Sequence, residues 1–246
     1  MNMKEKAIEI LDRLMKLKHD GVEVYFKSSE SFNVEVKDQE VEALDASRSC
    51  GVGLRLLLGQ RMGFGFTSDI NEESIDALIK TVSLNTKNIQ EDRFSALPDR
   101  PSADYQSPSV YDEELERLSG DERIRKAAIL EKAAIDYDRR IKKVRKSSFS
   151  FTIYKRQILS SKGIDLSCMG TAASVSIMAV AEDGGDSQMG WDFAVSPFLS
   201  RLDIEETGRT AARKAVEMLG ARRIDSVNVP VILDSSVATE FLGVLA

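Results

Sequence analysis

Apolar and polar positions follow two periods along this chain, and the periods alternate in a repeating order. Ala7, Ile8, Leu11, Leu14 and Met15 recur at helical spacing, which places them on one face. That helix is predicted to stop near Lys18-His19-Asp20-Gly21, with basic groups in its last turn and a glycine beyond. Val22, Val24 and Phe26, and then Phe32, Val34 and Val36, alternate with polar residues as half-buried strands do. Asp38-Gln39 reads as a turn. Val52, Leu54, Leu56 and Leu58 alternate again, Gly59-Gln60 reverses the chain, and Met62, Phe64 and Phe66 return. A second helix is predicted from about Asp69, with Glu72 as its capping partner and Ile75, Leu78, Ile79 and Val82 inward.

Pro98, Pro101 and Pro108 then sit among Ser, Asp and Arg, the composition of a linker. Beyond it the same order recurs. Ile124, Ala127, Ala128, Leu130 and Ala134 mark a helix. Alternating segments follow at Phe149, Phe151 and Ile153, at Ile164, Leu166 and Cys168, at Val175, Ile177 and Ala179, and at Met189, Trp191, Phe193 and Val195. Asp183-Gly184-Gly185-Asp186 supplies the last hairpin turn. A closing helix runs from about Asp203, with Ala211, Ala215, Met218 and Leu219 inward and Gly220 as its stop. From residue 227 the pattern changes once more. Val227, Val229, Val231 and Leu233 read as a strand, and a helical start follows from Ser235.

The expected fold is therefore α+β: two similar helix–antiparallel strands–helix units, followed by the incomplete start of a further domain. The expected boundaries are 1–88, a linker over 89–109, 110–226, and 227–246.

Composition narrows the chemistry. The 246 residues carry a net charge of -6, which weighs against nucleic acid and anionic membranes as partners. No apolar run reaches the roughly 20 residues that cross a bilayer, and the N-terminus lacks a signal-peptide pattern. Two cysteines make no disulfide framework, and a cytoplasmic protein with reduced thiols is the simplest expectation. His19 is the sole histidine, so a site needing several imidazoles cannot be built from this chain alone.

The candidate chemical sites each have a plainer reading. Gly51-Val52-Gly53 and Gly63-Phe64-Gly65 lie inside strand patterns and lack the third glycine or the Gly-Lys-Ser ending of a phosphate loop, so close backbone packing or a bulge is expected. His19 is expected at a helix end, favoured as an imidazolium, and Cys50 and Cys168 are expected as inert buried thiols. Glu182, Asp183 and Asp186 fit a turn better than a cation site. Arg139, Arg140, Lys142, Lys143, Arg145 and Lys146 form the strongest charge cluster. It is a possible anion contact, or equally a solvated helix-to-strand segment in which Ile141 and Val144 alone face inward.

The residues from Ser49-Cys50-Gly51-Val52-Gly53-Leu54-Arg55-Leu56 through Gly63-Phe64-Gly65-Phe66-Thr67-Ser68-Asp69 resemble the first domain of the TldD/PmbA family. Glu23-Val24-Tyr25-Phe26 and the hairpin ending Glu40-Val41-Glu42 also resemble it. Val229-Pro230-Val231-Ile232-Leu233-Asp234, with Val237 to Gly243 behind it, resembles the opening of the family's C-terminal domain. The resemblance implies a cytosolic metallopeptidase assembled from two subunits, some of whose members are named modulators of DNA gyrase. In the TldD type it implies a His-Glu-x-x-x-His helix that holds zinc. The corresponding stretch here contains Thr239 and Glu240 and no histidine. The resemblance therefore implies a PmbA-like subunit with no cofactor of its own. Zinc is expected in a TldD-like partner, and an unfolded peptide is the expected substrate. The alternatives are a non-enzymatic regulator that uses the basic cluster, and a self-associating homodimer with a vestigial active site.

Overall fold

The computed structural model describes residues 3–100 and 108–245. Pro101, named above as part of the linker, lies outside the described residues, as do the first two residues and Ala246. The first unit comprises α1 (Met3–Met15), β1 (Gly21–Lys37), β2 (Glu40–Leu58), β3 (Arg61–Thr67) and α2 (Glu72–Asn88). A short helix, α3 (Glu113–Arg117), leads into the second unit. That unit repeats the order with α4 (Gly120–Ile135), β4 (Ile141–Ser160), β5 (Asp165–Asp183), β6 (Asp186–Ser196) and α5 (Ile204–Glu217). A last helix, α6, spans Ser235–Leu245.

The two units do not form separate sheets. All six strands join in one antiparallel sheet of order β3-β2-β1-β4-β5-β6, with the two first strands paired at its centre. The arrangement has the form of a two-fold repeat about the β1–β4 seam. Side chains of β1 at even positions, Val22 to Val36, point to the same side along its whole length. There they enter two apolar clusters, one under α1 and α2 and the other under α4 and α5. Four helices therefore cover one face of the sheet, and the other face is left open. The seam also mixes the cores: Phe32, Val34 and Val36 of β1 belong to the second cluster, and Leu159 of β4 to the first.

Two hairpins close as expected at Asp38-Gln39 and Gly59-Gln60, with all four residues at positive φ. Neither Asp38 nor Gln39 is a glycine, and left-handed backbone costs such residues free energy. The offset comes from the other unit. Glu131 of α4, only 1% exposed, accepts both turn amides, from Asp38 at 2.8 Å and Gln39 at 2.7 Å, and the Gln39 side-chain amide at 2.7 Å.

Edge-strand glycines set how closely two helices approach. A Cβ on Gly63 would lie 2.7 Å from the Val82 carbonyl oxygen of α2. One on Gly190 would lie 2.1 Å from the Ala211 carbonyl oxygen and 2.3 Å from the Ala215 nitrogen of α5. The close packing expected for Gly63 and Gly65 is present. Its corollary is that Phe64, Phe66, Met189, Trp191, Phe193 and Val195, which alternate with the small residues, face away from the helices and are exposed.

Several local expectations are corrected. The first helix ends at Met15, before the basic residues; Gly21 opens β1 instead of capping it. Ile10 is buried on that helix, whereas Ile8 and Met15 are exposed. The second helix starts at Glu72, capped by Asn71, whose side chain accepts from Ser74 N; Asp69 instead holds Asn71. Met218 is exposed because α5 ends one residue before it. Residues 221–234 form no strand, since no described neighbour offers Val227 to Leu233 a ladder to join. No side chain of α6 is buried.

Two substitutions test this packing. Glu131→Ala leaves the hairpin amides without their carboxylate and is expected to cost about 3 kcal/mol in chemical denaturation. Gly190→Val forces α5 off the sheet and is expected to cost on the order of 3 kcal/mol, whereas Gly53→Ala, on the open face, is expected to change stability by less than about 1 kcal/mol.

Candidate functional site

The open face is not uniform. Val52, Leu54 and Leu56 of β2 turn toward the helices, so Gly51, Gly53 and Arg55 turn toward the open side. Two residues without side chains in sequence on that face leave a furrow. Tyr25 and Lys27 of β1 wall it on one side, and Phe64 and Phe66 of β3 on the other, across a hollow of about 640 Å³. The two glycines differ: a Cβ on Gly51 would lie 3.1 Å from the Thr67 carbonyl oxygen of β3, whereas one on Gly53 would meet nothing nearer than the Phe64 ring at 3.5 Å. The close backbone packing expected for Gly51-Val52-Gly53 is present at Gly51 and absent at Gly53.

A charge pair closes one end. Glu23 is 3% exposed, and Arg55, half exposed, donates Nη1–H to its Oε1 at 3.0 Å. Desolvating a carboxylate this far is costly without such a partner. Toward the middle of the sheet the face becomes small and hydroxylic. Ser29 meets Ser49 at 2.8 Å, Ser31 meets Thr152 at 2.9 Å, Ser150 meets Ser174 at 2.8 Å and Ser148 meets Ser176 at 2.9 Å. At the far edge Trp191 and Phe193 stack, with centroids 4.9 Å apart, between exposed Met189 and Val195. The open face is thus a hydroxyl-lined centre between two apolar flanks, a distribution found where a surface is meant to be covered.

The residues singled out from the sequence lie elsewhere. The basic cluster runs from the turn before β4 into that strand, with Ile141 and Val144 buried and the cations between them exposed. Half of it is matched by carboxylates. Arg140 donates to both oxygens of Asp138 at 3.0 and 2.8 Å, Lys143 pairs with Glu182 at 3.3 Å, and Lys146 pairs with Glu35. Arg139, Lys142 and Arg145 have no carboxylate partner among the described residues. The β5–β6 turn brings Glu182, Asp183 and Asp186 around a second hollow that Arg139, Arg140 and Lys142 also line, so the two candidate sites meet in one mixed-charge surface. Asp186 serves the fold there, accepting Gly220 N–H and the Gln188 amide, each at 2.8 Å.

His19 lies four residues past the end of α1, beyond the reach of that helix's last turn, and its Nδ1 is buried without a partner. Cys50 and Cys168 are half-buried free thiols rather than fully buried ones. Glu240 and Thr239 sit on exposed α6, where Thr239 Oγ1 donates to the Ser235 carbonyl at 2.8 Å. Among the described residues, no three His, Cys, Asp or Glu side chains are grouped to hold a metal ion. No helix is long and apolar enough to cross a membrane.

Comparison with known proteins decides the family. Residues 22–86 match domain 1 of the PmbA/TldA metallopeptidases and residues 113–219 match their central domain, together most of the chain. The chain belongs to the PmbA/TldD metallopeptidase family. It is 24% identical to the metalloprotease PmbA of Escherichia coli O157:H7 over 97% of this chain and 53% of that protein. It is 22% identical to the PmbA homologue of Haemophilus influenzae over 91% and 50%. It thus spans about half the length of the curated relatives it matches. Its fold matches a candidate modulator of DNA gyrase from Bacteroides thetaiotaomicron at a TM-score of 0.79 and 22% identity, covering 90% of this chain and 51% of that one. It also matches TldE from Thermococcus kodakarensis at 0.74 and 20%, covering 87% and 47%. For a PmbA/TldD protein, the zinc expected of a metallopeptidase does not fit this chain's own donors: α6 offers one carboxylate and no imidazole.

The mixed-charge surface yields a pH test. Hydrogen bonds from Arg140 hold the Asp138 carboxyl below its usual range, and those from Gly220 and Gln188 do the same for Asp186. Groups depressed in the folded state stabilise it above their unfolded value, near 3.8, and lose that contribution as pH falls toward the folded value. The double variant Asp138→Asn, Asp186→Asn is therefore expected to flatten the acid limb of a stability–pH curve below about pH 4 and to leave its neutral slope unchanged.

Proposed function

We propose that this chain is a PmbA-like subunit of a cytosolic TldD/PmbA-type metallopeptidase complex that handles unfolded peptides and takes its zinc from a TldD-like partner. The observation that carries the reading is the donor shortage. The chain belongs to a metallopeptidase family, yet its one imidazole, His19, lies at the start of the first unit and α6 contains none. Two imidazoles on successive turns are what a zinc hydrolase helix needs, and Glu240 cannot replace them. The open sheet face supports the binding half of the proposal. It presents apolar flanks and strand edges, the means by which a protein takes extended chain without reading its sequence closely.

Co-expression of the full-length protein with a TldD-like chain tests the assignment. Co-purification of the two chains, zinc in the pair but not in this chain alone, and faster cleavage of an unstructured peptide by the pair are the expected results. Stoichiometric zinc and peptide cleavage by this chain alone, or no association and no stimulation, would overturn it.

A further inference from the structure

The furrow is a slot with a bare floor, aromatic walls and one unmatched charge. Gly53 has Tyr25 opposite it on β1 and Phe66 opposite it on β3. Phe64, one row along, leans over it, since a Cβ there would stand 3.5 Å from the Phe64 ring. Phe64 and Phe66 have ring centroids 6.2 Å apart, and both are more than half exposed. A glycine in the outward row adds no packing to the sheet and weakens the strand, but it lets another group lie directly on the backbone. The hollow of about 640 Å³ is of the size that takes a small organic molecule.

The two ends of the slot differ in charge. At one end the Glu23 carboxylate is buried and already matched by Arg55. At the other end Lys27 lines the slot, exposed and without a carboxylate partner among the described residues. Its neighbours across the sheet are Gly51 and Arg156, and neither offers an acceptor side chain. Ser29, next on the same face of β1, is bonded to Ser49. Arg156 lies outside the slot and rests on the Tyr154 ring at 4.7 Å, in a row further from Tyr25. Directly opposed like charges destabilise a sheet. An anion beside Lys27 offsets that cost and supplies the missing partner.

We propose that the furrow binds a small planar aromatic acid, with its ring laid on Gly53 between Tyr25 and Phe66 and its carboxylate at Lys27. The walls favour a ring over an aliphatic chain, because aromatic faces and edges pair with defined geometry. The charges set the direction, since the reverse placement would turn the acid toward Glu23. One row of the sheet, two residues of strand rise or about 7 Å, separates Gly53 from Gly51. The long lysine stem and a carboxylate attached directly to fused rings span that distance together. The inference rests on the furrow's own residues and is independent of the subunit reading above.

Isothermal titration of the full-length protein with naphthoate is the test. Two controls each lack one feature. Naphthylmethanol keeps the rings without the charge, and cyclohexanecarboxylate keeps the charge without the flat rings. Naphthoate is expected to bind at least about tenfold more tightly than either. Lys27→Met is expected to bring naphthoate down to the affinity of naphthylmethanol and to leave naphthylmethanol itself unchanged. Gly53→Leu fills the slot and is expected to weaken both naphthyl compounds about tenfold while the circular dichroism spectrum is unchanged. Phe193→Ser, on the other apolar flank, is expected to alter neither. Added salt is expected to weaken naphthoate alone. Equal affinity for naphthoate and naphthylmethanol, or wild-type affinity for naphthoate in Lys27→Met or in folded Gly53→Leu, would overturn the proposal. So would a loss in Phe193→Ser as large as that in Gly53→Leu, or a stable homodimer that takes up no naphthoate, which would assign the face to a second copy.

Discussion

The ladder between β1 and β4 is the interaction on which the rest of the molecule depends. Each unit alone is a three-stranded sheet under two helices, close to the smallest arrangement that can bury its apolar face. Pairing the first strand of each along 14 aligned positions turns two marginal units into one six-stranded sheet. It also fixes where the helices go. Because β1 keeps a single alternation from Val22 to Val36, the clusters under both units must lie on the same side. One covered face and one open face follow directly. Glu131 reinforces the arrangement, since a buried carboxylate from the second unit holds the hairpin tip of the first.

Glycine serves two opposite ends in this sheet. At Gly63 and Gly190 the missing side chain lets a helix backbone approach to distances that no Cβ would tolerate. At Gly53 the space above the missing side chain stays open and becomes part of the furrow. The difference comes from strand parity. Gly63 shares the helix-facing row with Leu56, whereas Gly53 lies in the outward row with Tyr25. The aromatic residues alternating with Gly63 and Gly190 must then face outward, and this is how a well-packed layer produces an apolar open face.

Much of this was legible in the sequence, because the signals for it are local. The order of helices and strands, the duplication and the hairpins at Asp38-Gln39 and Gly59-Gln60 follow from periodicity and turn chemistry. The position of a helix start is less legible: Asp69 and Asn71 are both plausible caps, and only the backbone geometry chooses Asn71. What could not be read was which row of the two edge strands, β3 and β6, meets the helices. In β6 the large residues Trp191 and Phe193 suggest the inward row, yet small Gly190 and Ala194 occupy it because α5 lies so close. The furrow was missed for the same reason. It is assembled from four strands, and two of its lining residues, Tyr25 and Ile158, pair across the sheet although they are 133 positions apart in the chain. The charge run at 139–146 stood out because its residues adjoin in sequence, and the structure then spends half of them on nearby carboxylates.

Polarity is unevenly distributed over the open face. An antiparallel sheet with helices on one side can present a wholly polar second face, and the hydroxyl rows around Ser31, Ser150 and Ser174 show that this sheet does so at its centre. At its edges it does not: Phe66 is 76% exposed and Val195 62%. Such exposure opposes solubility and adds nothing to the cores, so it is maintained against the preference of an isolated fold. Among the described residues, metal-ligating side chains are not grouped anywhere, whereas aromatic side chains gather at the furrow. The histidine-free helix and the exposed furrow are therefore separate in sequence. The donor-poor α6 lies beyond the duplicated units, and the furrow lies within the first of them, on the side away from the helices that pack the sheet.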